Sequence, residues 1–146
     1  MTPADLQTYL HAHIPLSAAM GVAVLQADER GMQLAAPLAP NINHRETVFG
    51  GSASAVAILA AWSHLSWHLT RQGMPVRLVI QRNSMEYLLP VSGDFLARTA
   101  PLDVTVWARF VRTLERHGRA RIEMPSELVY EGATAGRFSG EFVALR

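Results

Sequence analysis

The spacing of apolar and polar residues predicts two kinds of element in this chain. Residues 53–62 are apolar on nearly every side of a helix, and residues 51–72 contain no proline, which predicts one long helix buried on most of its faces. Residues 119–130 and 134–145 instead alternate between apolar and polar positions, the pattern of strands with one face in water. Because Glu131 and Gly132 provide a turn signal between them, these strands are expected to pair as an antiparallel hairpin.

More elements precede the long helix. Pro3 suits the first position of a helix that Thr2 caps and that Pro15 ends, and one further turn is expected before Gly21. Residues 21–26 and 31–38 are predicted strands. They are joined by a polar turn that favours a hairpin, and a loop leads from there to the long helix.

After the long helix, the pattern of apolar and polar residues predicts two strands, at residues 76–89 and 94–100, and a second helix at residues 103–117. Asp103 is its expected cap and Gly118 its expected end. The residues predicted to face inward from this helix are Trp107, Val111 and Leu114.

This order of elements predicts an α+β fold in which an antiparallel sheet wraps around the long central helix. The chain has 146 residues, enough for one domain with its own hydrophobic core. We therefore expect residues 1–146 to form a single domain.

Composition narrows the range of functions. The net charge of +1 argues against attraction of the whole molecule to nucleic acid or to an acidic membrane. Cysteine is absent, which excludes disulfides and thiolate metal sites, and no export signal is apparent. The most apolar stretch falls short of the ~20 residues of a membrane span, so a cytoplasmic protein is expected.

His64 and His68 have the spacing of metal ligands but no apparent third ligand, and neither a metal nor a cofactor is predicted.

The segment before the long helix carries a family resemblance. Residues 36–44 read APLAPNINH and residues 47–52 read TVFGGS, with YLLPV at residues 87–91. These motifs, with the order of elements, resemble the hotdog superfamily of thioesterases and dehydratases, and within it the thioesterase family of the YiiD C-terminal type. The resemblance implies a hotdog fold, a homodimer or dimer of dimers with the ligand between subunits, and substrates that are acyl thioesters of acyl carrier protein or coenzyme A.

The resemblance also implies a second chemistry. Members of this family have been assigned the decarboxylation of malonyl groups on acyl carrier protein, and the second asparagine of the N-I-N motif is tied to it. In this chain that asparagine is Asn43.

The start of the long helix is the candidate catalytic site. Backbone N–H groups in the first turn of a helix lack intrahelical partners and lie at the positive end of its dipole. Gly50 and Gly51 have no side chains to block a substrate, so the amides of Gly51 or Ser52 can stabilise an oxyanion on a thioester. The alternative is that the glycines only permit a tight turn into the helix.

Other polar residues of this loop are candidates for substrate contact. Asn43 can donate its amide to the same oxygen or to a substrate carboxylate, and Asn41 can do likewise or hold the loop. His44 and Glu46 are possible general bases or solvent-facing loop residues. The predicted substrate-binding residues are Asn41, His44, Phe49, Gly50 and Ser52, with Asn43 and Gly51 predicted to be catalytic.

The long helix lacks the acidic residue with which hydrolytic hotdog enzymes generally activate water. No Asp or Glu occurs from Thr47 to Met85, and Ile58 stands where one common thioesterase type has its Asp. Hydrolysis then depends on Glu46, His44 or an acid from elsewhere, such as Glu86. Decarboxylation needs only oxyanion stabilisation, so it ranks first, thioester hydrolysis second, and acyl-thioester binding without turnover third.

The second helix carries a basic face. Arg109, Arg112 and Arg116 lie on one side of it, and Arg119 and Arg121 follow. These arginines are candidate contacts for the acidic helix of acyl carrier protein or for the phosphates of coenzyme A. A solvated helix face is the alternative.

Overall fold

The computed structural model describes residues 1–146, which form four α-helices, one short 3₁₀ helix and six strands. In chain order they are α1 (Pro3–His13), α2 (Pro15–Ala19), β1 (Ala23–Asp28), β2 (Gly31–Ala36), a 3₁₀ helix (Ala39–Asn41), α3 (Gly50–Arg71), β3 (Arg77–Tyr87), β4 (Phe95–Arg98), α4 (Val104–His117), β5 (Arg119–Tyr130) and β6 (Ala133–Leu145). None of the helices has the length and apolar character that crossing a membrane requires.

The predicted long helix is confirmed as α3, which the sheet encloses. Its buried residues include Val56, Ala57, Ala60, Ala61 and Leu65, all with no exposed surface. Three of these five are alanines, whose small side chains let the strands approach the helix backbone closely. A helix that is apolar on most faces gains stability only when it is covered on most faces, which is what the sheet provides.

The six strands form one antiparallel sheet in the order β1-β2-β4-β5-β6-β3. The predicted hairpins β1–β2 and β5–β6 are both confirmed. In β5 the alternation works as expected: Ala120, Ile122, Met124 and Leu128 are buried under α3. The strands β1 and β3 are the two edges of the sheet.

Helix ends follow the local chemistry of the sequence. Thr2 and Asp5 form a reciprocal capping box at the start of α1. Asp103 caps α4 by accepting from the N–H of Val106 at 2.9 Å, and Gly118 ends that helix in the left-handed conformation.

Some predicted details differ from the structure. In α4 the buried side chains are Phe110 and Leu114, whereas Trp107 and Val111 are only half-buried. The strand predicted over residues 94–100 is reduced to β4, because the N–H of Met32 bonds to the Thr99 hydroxyl in place of a backbone carbonyl, while the N–H of Thr99 still bonds to the Met32 carbonyl.

A buried histidine ties α3 to the sheet. The Nδ1 atom of His64 lies 2.7 Å from the Thr99 hydroxyl oxygen, which accepts from the N–H of Met32 at 2.9 Å. Its Nε2 atom lies 3.2 Å from Nε2 of His68. Burial and, to a smaller extent, the neighbouring His68 lower the pKa of His64 to about 4, against an opposing effect of Asp28. Burial also lowers the pKa of His68.

This pKa makes the stability of the fold depend on pH. His64 has an ordinary pKa of 6.5 in the unfolded chain and about 4 in the folded one, so between these values the unfolded chain binds more protons. The free energy of unfolding should therefore be full above about pH 6.5 and fall by on the order of 3 kcal/mol as the pH drops to 4. Urea denaturation across this range measures the loss.

Two variants isolate the contribution of His64. Replacing His64→Gln keeps a partner for Thr99 but removes the titration, so the slope of stability against pH should flatten. His44→Gln, which removes an exposed imidazole instead, is the matched control. An unchanged slope in His64→Gln would contradict the assignment.

Candidate active site

The first turn of α3 presents free backbone donors. Phe49 caps the helix with an extended backbone and no side-chain hydrogen bond, and the first helical bond runs from the N–H of Ala53 to the Phe49 carbonyl at 3.0 Å. The N–H groups of Gly50, Gly51 and Ser52 make no hydrogen bond within the chain. They lie at the positive end of a 22-residue helix and favour negative charge there.

An apolar cavity of about 270 Å³ lies beside this turn. It is lined by Val48, Gly50, Ala53, Tyr87, Leu88, Leu89, Pro90, Val91, Leu128 and Ala135. Tyr87 is the one lining side chain with a polar atom. Such a cavity accepts an uncharged acyl group readily, whereas an unpaired charge in it costs free energy.

Two aromatic rings flank the glycine pair. A Cβ atom on Gly51 would overlap the Phe49 ring, and one on Gly50 would lie 3.5 Å from the Tyr87 ring. Position 51 therefore excludes a side chain unless Phe49 moves, while position 50 leaves room for a methyl group. Phe49 and Tyr87 both remain more than half exposed.

Asn43 organises the loop that leads into α3. Its Oδ1 atom accepts from the N–H groups of Arg45 and Thr47 at 2.8 and 3.1 Å. Its Nδ2 atom donates to the Thr47 hydroxyl at 2.9 Å and to the Val48 carbonyl at 3.4 Å. The second donation is long, so one N–H of Asn43 is weakly held.

Asn41 is placed differently from Asn43, although the two stand only two positions apart. Its side chain is 1% exposed, and Nδ2 donates to the carbonyls of Met20 and Pro37 at 2.9 and 2.8 Å. Both amide hydrogens are thus used to hold the loop, and Oδ1 is buried without a partner. Asn41 does not line the cavity.

The titratable residues near this loop lie outside the cavity. His44 and Glu46 are exposed, and Glu46 has a positive φ of 63° at the tip of the loop. Glu86 lines a different, mostly polar cavity of about 650 Å³ that also includes Arg98 and Arg137. No carboxylate or imidazole lines the cavity beside Gly50.

The arginines of α4 lie at the other end of α3. Arg109, Arg112 and Arg116 are exposed and form no ion pair in the chain. The ring of Trp107 in α4 packs 5.4 Å from the ring of His68. His68 lies about 26 Å from Gly51 along α3, at 1.5 Å per residue. The structure does not bring these arginines together with the glycine pair of the same chain.

Residues 87–91 were not among the predicted site residues, yet they supply half of the cavity lining. The available signal was the apolar run of Leu88 and Leu89 ended by Pro90, an unusual sequence for an exposed strand end. These two leucines remain 41% and 48% exposed in the chain.

Comparison with known proteins agrees with this geometry. Residues 3–146 match the family described as Putative thioesterase (yiiD_Cterm). A protein of unknown function from Chlorobaculum tepidum is similar, with 28% identity over 99% of this chain and 97% of that chain and a TM-score of 0.93. The putative thioesterase from Shewanella oneidensis has 25% identity over 99% and 97% and a TM-score of 0.88.

A more distant structure shares the fold alone. A thioesterase from Haemophilus influenzae is 13% identical over 100% of this chain and 92% of that chain, with a TM-score of 0.78. These neighbours have the hotdog fold, so the predicted α+β hotdog architecture is confirmed.

The geometry of Asn41 yields a stability prediction. Asn41→Ala removes two buried hydrogen bonds and leaves two carbonyls without their donor, so the free energy of unfolding should fall by about 3 kcal/mol. Asn83→Ala is the control, since Asn83 is exposed and its side chain makes no hydrogen bond. Equal stability of both variants in urea denaturation would show that Asn41 does not hold the loop.

Proposed function

Since the chain belongs to the putative thioesterase (yiiD_Cterm) family, we propose that it is an enzyme acting on acyl thioesters of acyl carrier protein or coenzyme A. Within that class, we propose that it decarboxylates malonyl-acyl carrier protein, a reaction that starts fatty acid synthesis. One observation carries this choice: the cavity that Gly50 lines, beside the free amides at the start of α3, has no carboxylate or imidazole in its lining to act as a general base.

Decarboxylation demands little beyond what this site holds. The bond between the malonyl carboxylate and the α-carbon breaks, CO₂ leaves, and the electron pair moves into the thioester to form an enolate. The N–H groups of Gly51 and Ser52 would stabilise the enolate oxygen. The α-carbon then takes a proton from solvent to give the acetyl thioester.

Asn43 would supply a further donor to the same oxygen. Its long contact to the Val48 carbonyl, 3.4 Å, is the weakest of its four hydrogen bonds and the one that a substrate oxygen would replace. The remaining three hold the side chain in place, and such preorganisation is what makes a donor effective in a transition state. His44 and Phe49 would contact the substrate from the exposed side of the loop.

Hydrolysis of the thioester is the second candidate. Glu46 is exposed on the loop that leads into α3, and a carboxylate there, or one from a second copy, could activate water. This route needs the loop tip to move toward the cavity, because Glu46 does not line it.

One assay separates these functions. The protein is incubated with malonyl and acetyl thioesters of acyl carrier protein and of coenzyme A, and CO₂ and free thiol are followed together. We expect CO₂ without thiol; thiol from acetyl substrates would instead indicate hydrolysis, and saturable binding without either product a binding protein. The chain contains no cysteine, so a thiol reagent gives no background from it.

An aspartate at position 43 tests the role of the asparagine. Asn43→Asp keeps the oxygen that accepts from Arg45 and Thr47 but removes the amide donor, so kcat should fall about 100-fold, and the loop should lose some stability because a carboxylate cannot donate to the Val48 carbonyl. Asn43→Ala removes both functions and should also destabilise the loop. Full activity in the aspartate variant would mean that Asn43 only holds the loop.

We further propose that a second copy of the chain completes the site. The strand β3 pairs only with β6, so its other edge is unpaired over 11 residues, an edge that proteins usually cover. Exposed apolar side chains gather at the same end of the molecule: Ile42, Phe49, Tyr87, Leu88 and Leu89. Burying them in a homodimer would also shield the cavity from water.

In such a dimer, the basic face of α4 in one copy would lie near the candidate site of the other copy. Two β3 strands paired antiparallel across a two-fold axis orient the two α3 helices in opposite directions. The end that carries Arg109, Arg112 and Arg116 in one copy would then approach the α3 start of the other. In that position the arginines would contact the carrier protein or the coenzyme A phosphates. A cytoplasmic location, which we also propose, would supply both carriers.

Sedimentation equilibrium tests the dimer. The wild-type protein should have twice the monomer mass of 16.0 kDa, and Leu88→Lys should shift it toward monomer, because a buried unpaired ammonium opposes association. Leu25→Lys is the matched control, since Leu25 is 55% exposed on the opposite edge strand. A fully active wild-type monomer would contradict this proposal.

A further inference from the structure

We propose that Tyr87 is a positioning residue that holds and polarises the peptide group between Gly50 and Gly51. This inference rests on the proposed function, in which the N–H of Gly51 is an oxyanion donor. The hydroxyl of Tyr87 donates to the carbonyl oxygen of Gly50 at 3.0 Å. The Gly50 carbonyl and the Gly51 N–H belong to one peptide group, so Tyr87 acts on the donor through a single planar unit.

The hydrogen bond from Tyr87 to the Gly50 carbonyl makes the N–H of Gly51 a stronger donor. The chain has no cis peptide bond, so the carbonyl of Gly50 and the N–H of Gly51 point in opposite directions. A donor on the carbonyl oxygen withdraws electron density from the nitrogen and makes the N–H more positive, as in any chain of hydrogen bonds. The Gly51 amide therefore becomes a better partner for an enolate oxygen on its far side.

The Gly50–Gly51 link needs such a restraint. Glycine has the widest conformational freedom of any residue, the first turn of a helix frays most easily, and no side chain caps α3. The Tyr87 ring lies against Gly50 and the Phe49 ring against Gly51. The two aromatic rings thus limit the conformational freedom of the Gly50–Gly51 peptide group, which no side chain of its own and no helix cap restrains.

The tyrosine is itself held firmly. Tyr87 is the last residue of β3, opposite Gly136 in β6, and the N–H groups of Leu88 and Leu89 both bond to the carbonyl of Ala135. The backbone on both sides of Tyr87 is therefore fixed to β6. From there its hydroxyl reaches across the end of the sheet to α3, and it is the only polar side-chain group that lines the cavity.

A tyrosine-to-phenylalanine exchange tests the inference. Tyr87→Phe keeps the ring and removes the hydroxyl, so kcat for CO₂ release should fall roughly 10-fold, less than the loss of a whole donor, while KM stays constant. Tyr130→Phe is the matched control, because the Tyr130 hydroxyl bonds to Ser92 at 3.2 Å, away from the cavity. A rise in KM at constant kcat would assign Tyr87 to substrate binding and overturn the inference.

A second measurement does not depend on turnover. Labelling with ¹⁵N-glycine gives signals for the 10 glycines of the chain, and in Tyr87→Phe the Gly51 amide proton should shift upfield while glycines away from the cavity stay in place. An unmoved Gly51 signal overturns the inference and leaves the proposed function standing. Wild-type protein that releases neither CO₂ nor thiol overturns the proposed function, whatever the Gly51 signal does.

Discussion

The burial of α3 is the constraint on which the rest of this molecule depends. A helix of 22 residues that is apolar on most sides must be enclosed, and the six-stranded sheet does so by curving around it. Enclosure fixes where the helix can begin: its first turn emerges where β3 and β5 end, beside Tyr87 and Leu128. The free amides of that turn therefore lie beside an apolar cavity, with Gly50 in its lining and Gly51 exposed, and a dipole acts more strongly in apolar surroundings than in water.

Local patterns predicted the elements because each pattern has one dominant physical cause. The alternation in β5 and the enclosed apolar run of α3 reflect burial directly, and the limits of α4 reflect capping by Asp103 and a left-handed Gly118. Side-chain orientation within α4 was less predictable. Phe110 is buried and Trp107 only half-buried, because α4 packs against β5 as well as α3. The angle at which α4 packs on these two elements cannot be predicted from the sequence of one chain.

The candidate site was predictable only in part, for a related reason. The glycine pair was visible in the sequence, since two glycines at the start of a helix either allow close approach of a substrate or permit a tight turn into the helix. Asn41 and Asn43 look alike in the sequence, yet one holds two distant carbonyls and the other holds its own loop. Distant partners such as Met20 are set by the tertiary fold. Tyr87 was missed for the same reason, as its bond to Gly50 spans 37 positions.

The chemistry of the cavity gives a final argument for decarboxylation over hydrolysis. A malonyl carboxylate that enters an apolar site without a cation is raised in free energy, because its lost hydration is not replaced. In the proposed reaction, loss of neutral CO₂ would move that charge to the thioester oxygen, where the amides of Gly51 and Ser52 would stabilise it. Hydrolysis would instead require a hydroxide-like nucleophile to be created in the same apolar space, where no lining residue can take its proton. The apolar lining therefore supports the proposed decarboxylation over hydrolysis.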